Sequence, residues 1–457
     1  MSLADLSITE AGALLQRRDI SATELLDQHL DRIAERNPVL SAFVHVAGEQ
    51  ARLQARVADA ALASGDECGP LTGIPVAIKD LIDTADMPTQ YGSRLFAGHR
   101  PEHDAGCVAA LRRAGAVIIG KAATYEFATV GPSFDTPFPP ALNPRDPEHI
   151  TGGSSSGSAA AVADGMVRLA IGTDTGGSVR SPASYCGIVG FKPAQGQIPA
   201  TGVFPLSPSL DHVGTLAASV REAALGHAAM TGTGQDQSVF SGAAHGTRLG
   251  YARDWFATDP QLGPGVLDAL DTAVSMLSLT GAQIAEITLP DYADFETAAA
   301  VILHGESFAI HKQRLAEHQD GMGIKTFRTL AAGAAIAPSD IDLARRTGKR
   351  LKAALDAVFE TVDVIATATT LTTAPQLALF EGADAVWTPM RTIGFNLTGH
   401  PSLSVPCGFS RGLPVGMQLI ARPGNEVALF ALGHAFEMAT DHASFRPAIL
   451  EPIAADH

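Results

Sequence analysis

Over the first sixty residues, apolar side chains recur at helical spacing. Leu25, Leu26, Leu30 and Ile33 share one face, and Ser21 with Glu24 has the spacing of a capping box at a helix start. From Gly73 onward the pattern changes to short unbroken apolar runs. Ile74–Ile78 and Ala116–Ile119 each read as a buried strand, with a helix predicted between them over Asp104–Ala114. That order predicts parallel neighbours in a sheet covered on both faces. Residues 121–150 carry Pro132, Pro137, Pro139, Pro140, Pro144 and Pro147 and predict loop. A Gly/Ser-rich segment follows (Thr151–Ser158), then an Ala-rich helix (Ala159–Ala163), a strand (Val167–Ile171) and a second Gly-rich loop (Gly172–Arg180). Residues 220–360 are Ala/Leu-rich, predicted helical, and carry no legible motif. Val362–Ala366, Pro401–Pro406 and Pro414–Ile420 then predict a return to strands, and 426–440 a closing helix. There is no repeat of fixed period.

The two Gly/Ser loops are joined by about ten residues of helix out and five or six of strand back. At about 1.5 and 3.3 Å per residue both legs span some 15–20 Å, so the loops can meet at one end of the sheet. Lys79 closes the strand Ile74–Ile78, and ligands of open α/β sheets bind beyond such carboxyl ends. Lys79, Ser154 and Ser178 are therefore expected together. A serine hydroxyl needs a base to become a nucleophile, and a lysine made neutral by burial can serve. A second serine can relay the proton, since a hydroxyl both donates and accepts. Thr175-Gly-Gly-Ser178 offers consecutive amides for an oxyanion, with glycines allowing close approach to substrate. Asp174 and Arg180 flank this loop and are placed to brace it.

Composition narrows the function classes. The chain has 457 residues, 46% hydrophobic and 18% charged, which suits a well-buried globular protein. Its formal charge of −16, without a basic cluster, argues against direct nucleic-acid binding. Cys68, Cys107, Cys186 and Cys407 are far apart and read as reduced thiols. The start lacks the pattern of a secretory signal, and no apolar run reaches the roughly 18 residues of a membrane span, so a cytoplasmic protein is expected. The fifteen histidines form no H-E-x-x-H pattern, and neither metal nor cofactor is expected.

Gly73-Ile-Pro-Val-Ala-Ile-Lys-Asp80, Gly152-Gly-Ser-Ser155 and Gly172-Thr-Asp-Thr-Gly-Gly-Ser-Val-Arg180 resemble the three motifs of the amidase signature family. The offset of 24 positions from Ser154 to Ser178 matches its spacing. The resemblance runs from about residue 5 to 450 and takes in Phe191-Lys-Pro193, Ser209-Leu-Asp211, Asn396-Leu-Thr398 and Pro401-Ser-Leu-Ser-Val-Pro406. It implies an α/β fold with a large twisted mixed sheet covered by helices on both faces. It implies one domain over 1–457: N-terminal helices (1–65), a catalytic core (66–220), a mainly helical variable region (221–360) and the rest of the sheet with a closing helix (361–457). By this similarity Ser178 is the acyl-accepting nucleophile, Ser154 the bridging serine on a cis peptide, and Lys79 the base. The amides of Thr175, Gly176 and Gly177 form the oxyanion hole. The sequence departs from the family at Ser156, Gln197 and Gly394, where glycine, arginine and proline are usual, which bears on substrate preference rather than on the triad.

Other patterns are structural. Gly153-Ser-Ser-Ser-Gly157 imitates a nucleophile elbow centred on Ser155, but no apolar strand precedes it. Gly115-Ala-Val-Ile-Ile-Gly-Lys121 imitates a P-loop, but its interior is a strand. Tyr125, Phe127, Phe134, Arg180 and Arg391 are candidates for contact with substrate, and Phe138 for the wall. The expected activity is hydrolysis of a small linear carboxamide through acyl-Ser178, without nucleic-acid or membrane partner, a homodimer being the candidate assembly. The rival is the amide-cleaving, ammonia-supplying component of a tRNA-dependent amidotransferase complex. Against it, Pro389, Met390 and Arg391 stand where an acidic residue for an amino-acid substrate is expected.

Overall fold

The computed structural model describes residues 2–66, 68–234 and 237–442; the end of the 361–457 stretch, from 443 on, lies outside them. Among the described residues eleven strands form one sheet: β1 (Phe43–Val46), β2 (Pro75–Lys79), β3 (Val117–Ala122), β4 (Leu169–Asp174), β5 (Val189–Lys192), β6 (His212–Ala217), β7 (Arg248–Tyr251), β8 (Gln283–Glu286), β9 (Val364–Ala368), β10 (Ser402–Ser410) and β11 (Leu413–Ala421). Their spatial order is β1-β3-β2-β4-β6-β5-β10-β11-β9-β7-β8. β2 pairs in parallel with β3 and β4, as the strand–helix–strand pattern predicts. The middle of the sheet is antiparallel, and β9, β7 and β8 are parallel again.

Every residue of β2, β3, β4, β6, β9 and β11 is buried. Successive strand residues point to opposite faces, so both faces of this α/β sheet are covered. The capping box at Ser21 and Glu24 is formed and starts a helix over Ala22–Leu40. The Gly115–Lys121 run is mostly β3, and Ser155 caps a helix (Ser156–Ala163) rather than ending a strand, so neither imitation carries its motif's function. Residues 220–360 are mainly helical, yet contain β7 and β8, four-residue strands too short to show a period among Ala and Leu. β1, β5 and β6 likewise escape the apolar pattern, because polar His45, Lys192, His212 and Thr215 interrupt them. Among the described residues no helix is long and apolar enough to cross a membrane.

Candidate active site

Lys79 is the last residue of β2. Parallel pairing aligns Ile78 with Ile171, so Lys79 emerges beside the end of β4 and the loop after it. Its Nζ lies 2.7 Å from both Ser154 Oγ and Thr173 Oγ1. Ser154 precedes the helix Ser156–Ala163, and the Gly153–Ser154 peptide is cis. Ser154 accepts at its carbonyl from Tyr125 N at 3.2 Å, and Ser155 N donates to Ser178 O at 3.2 Å, which stitches the two Gly/Ser loops together. Gly153 lies on the Tyr125 ring so closely that a Cβ there would overlap it. The structure thus brings Lys79, Ser154 and Ser178 into one place. Ser178 is partly exposed and lines a cavity.

The loop carrying Ser178 is held from behind. Asp174 accepts from Gly177 N at 2.8 Å, Val179 N at 3.1 Å and Arg180 Nη2 at 2.8 Å. Arg180 is fully buried and donates further to Thr392 O, Gln418 Oε1 and Asn396 Oδ1. Burial opposes ionisation of Asp174, but Arg180 and then Asn396 outweigh it and hold the carboxyl well below its usual range. The expected Asp174–Arg180 brace is present, and it corrects two other expectations: Arg180 has its donors committed inside the protein and not to substrate, and the Gly177 amide is already given to Asp174. Thr175 and Gly176 line the cavity, Thr175 being fixed through its hydroxyl to Asp211 at 2.6 Å.

Burial is the main force on Lys79. It holds the amine well below its ordinary value, with Asp174 and Asp211 pulling the other way. The neighbouring Asp80 does not join them. It lies 3.8 Å from a second buried lysine, Lys121, and accepts from Gln90 N. Lys121 donates in turn to Thr89 Oγ1 at 2.6 Å.

The cavity has a volume of about 300 Å³, at the small end for ligand sites. Its walls are largely apolar, with Tyr125, Leu206, Leu303, Trp387, Met390 and Ile393 among them. Of the proposed substrate contacts outside the serine loop, only Tyr125 is part of it. Phe127 is buried against Phe204 in a satellite core, ring centroids 5.2 Å apart. Phe134 is exposed, 6.0 Å from Lys325 Nζ. Arg391 lies over the Tyr292 ring at 4.4 Å and pairs with Asp259 in a neighbouring cleft. Sequence reasoning missed Thr173, although it sits within the third motif. It also missed Glu296 and His304, which stand in the motif-free region and reach the cavity only through the fold.

The family model described as Amidase matches residues 24–430. A glutamyl-tRNA(Gln) amidotransferase subunit of Chloroflexus aurantiacus is 35% identical, over 98% of this chain and 99% of that protein. Among solved structures, the corresponding subunit from Thermotoga maritima is 30% identical with a TM-score of 0.77, covering 96% of this chain and 94% of that one. The peptide amidase of Stenotrophomonas maltophilia is 28% identical with a TM-score of 0.83, covering 96% and 97%. These relatives correct the expectation of a free-standing hydrolase of small linear amides with no nucleic-acid partner, since full-length curated relatives are subunits of glutamyl-tRNA(Gln) amidotransferases. The acidic total charge was a poor guide, because one component of a complex need not itself carry the tRNA. With a family model spanning most of its length and relatives of this similarity over nearly all of it, the chain belongs to the amidase signature family.

Proposed function

We propose that this chain is the amide-cleaving subunit of an amidotransferase, generating ammonia from a carboxamide for a partner that amidates the glutamyl group of glutamyl-tRNA(Gln). The observation that carries the reading is likeness to such subunits along 98% of the chain. The arrangement of Lys79, Ser154 and Ser178 supports the chemistry. Lys79, kept neutral by burial, takes the Ser178 proton through Ser154 as Ser178 Oγ attacks the amide carbonyl. The amides of Thr175 and Gly176 receive the developing oxyanion. Collapse of the tetrahedral intermediate breaks the C–N bond, and the proton returns through the same relay to the leaving nitrogen. Water then repeats the attack on the acyl-serine and releases the carboxylate.

The test is to co-express the chain with candidate partner subunits and follow conversion of glutamyl-tRNA(Gln) to glutaminyl-tRNA(Gln) with L-glutamine or ammonium chloride as nitrogen source. The expected result is a complex in which Ser178→Ala abolishes glutamine-dependent conversion and spares ammonium-dependent conversion. A chain that joins no complex and supports neither conversion would sink the proposal.

A further inference from the structure

A second buried lysine, Lys121, closes the Gly115–Lys121 run, and the chemistry above makes no use of it. β3 aligns Lys121 with Ile78 of β2, and Ala122 with Lys79. Side chains alternate along a strand, so Lys121 shares the Ile78 face of the sheet and Lys79 takes the opposite one. Asp80 N continues the ladder to Ala122 O at 2.9 Å, which returns the Asp80 side chain to the Lys121 face. Lys121 and Asp80 are both closed off from solvent. Lys121 Nζ donates to Ile82 O, to Thr84 Oγ1 at 3.2 Å and to Thr89 Oγ1 at 2.6 Å, with the Asp80 carboxylate beside them at 3.8 Å. An ammonium has three protons to give, and here three acceptors take them. Lys79 has only the hydroxyls of Ser154 and Thr173, and among the described residues it forms no ion pair.

These contacts of Lys121 fall on the segment that leaves Lys79. Ile82, whose carbonyl it holds, donates its own N–H to Lys79 O at 3.0 Å and so closes the turn directly after the base. Gln90 N, next to Thr89, donates to Asp80 at 3.2 Å. Residues 80–90 are thereby folded back onto β3 around one amine. We propose that Lys121 is a positioning residue for Lys79. It draws the Asp80 carboxylate to the opposite face of the sheet and fixes the turn through Ile82, so that β2 ends with Lys79 alone directed at Ser154. A carboxylate free to turn to Lys79 would pair with that amine and hold it charged, unable to accept a proton. This rests on the reading of Lys79 as base of an amide-cleaving site. It gives a lysine outside the three motifs a share in keeping that base free.

The experiment follows modification of Ser178 by a fluorophosphonate on the full chain, read by mass spectrometry, with the limiting rate kinact separated from the binding constant KI. Lys121→Met removes the donor and strands Asp80. The double variant Lys121→Met, Asp80→Asn removes the stranded charge but leaves Ile82, Thr84 and Thr89 without their donor. It is expected to melt closer to the unmodified protein than the single variant does, yet to label with kinact at least about tenfold lower and KI within about twofold. Thr89→Val keeps shape, removes one acceptor of Lys121 and disturbs the fold least. It should lower kinact by at least about threefold, again with KI little changed. Recovery of kinact together with the melting temperature in the double variant overturns the inference, making Lys121 a matter of stability alone. An unchanged kinact in Thr89→Val overturns it as well, and decides the matter where the lysine variants do not fold. Normal labelling in Lys79→Met, or none in the unmodified protein, overturns the reading of the site itself and the inference with it, a result distinct from labelling that needs Lys79 and ignores Lys121.

Discussion

Lys79 Nζ lies 2.7 Å from Ser154 Oγ, and both side chains are closed off from solvent. A charged ammonium in that place would have to shed its hydration with two hydroxyls in exchange, those of Ser154 and Thr173. Burial therefore favours the neutral amine, which is the form that can accept a proton.

Lys79→Met is expected to lower kcat/KM by about three orders of magnitude or more, since it removes the proton acceptor. It should also alter stability in a way set by linkage. In the folded state the Lys79 pKa is depressed, while in the unfolded chain it titrates near 10.4. Between those values the unfolded state binds one more proton, so this residue makes stability rise with pH, by about 1.4 kcal/mol per unit. Denaturant midpoints of Lys79→Met at pH 8 and pH 10 should therefore show a slope shallower by one proton. An unchanged slope would mean that Lys79 is charged in the fold.

Thr173→Val tests how the amine is aimed. A neutral amine has one lone pair, and Thr173 Oγ1 at 2.7 Å can accept one N–H while the lone pair is left to Ser154. The substitution keeps shape and removes the acceptor. Expected is a fall in kcat of about tenfold with KM little changed, and a displaced acid limb of the pH–rate profile. Thr173→Ser should restore most of the loss. A valine variant with normal kcat and normal pH profile would reduce Thr173 to packing.

Arg180→Ala is expected to destabilise the protein by about 3–5 kcal/mol, because it strands the buried Asp174 carboxylate. The double variant Arg180→Met, Asp174→Asn should recover part of that stability yet turn over amides far more slowly, since the Ser178 loop loses its hold. Neither should change the preference between acidic and neutral amides. Thermal melts and a small amide panel check both; a selective loss toward acidic amides would return Arg180 to the substrate.

The grouping of Lys79, Ser154 and Ser178 was legible because these residues sit in short segments with strong local grammar: a strand ending in Lys79, and glycine-rich turns at 152–158 and 172–180. The Ala159–Ala163 helix and the strand Val167–Ile171 let the distance between the turns be reckoned from rise per residue alone. The cavity was not legible in this way. Its far wall comes from the helix Tyr292–Glu317 and the 386–393 segment, which meet Ser178 only through packing across long sequence separation. Arg391 and Phe134 were chosen by residue type, and type does not say which way a side chain points. The Asp259 carboxylate claims the one, and the other lies in solvent.

The last prediction separates two adjacent glycines of the serine loop. Gly177 has φ +129°, a conformation that side-chain-bearing residues rarely adopt, and a Cβ there would come within 2.9 Å of Thr392 Cβ and 3.0 Å of Met390 Sδ. Thr392 cannot yield freely, because its hydroxyl donates to Gly176 O at 2.6 Å and its carbonyl accepts from Arg180. Gly177→Ala should therefore push the loop off Asp174 and Thr392 together, moving the Gly176 amide and Ser178 Oγ relative to each other. The expected cost is about 10²–10³ in kcat, the scale of a lost oxyanion donor. At Gly176 a Cβ would meet only the Ile393 side chain, at 3.3 Å, and no positive φ is required. Gly176→Ala should fold normally, narrow the cavity beside Ile393, and act mainly on KM. Steady-state kinetics on the two variants, paired with melting temperatures, distinguish these effects. If Gly176→Ala lost kcat as severely as Gly177→Ala, loop geometry would not explain the difference, and the Gly176 amide would have to be far less tolerant of crowding than its neighbours imply.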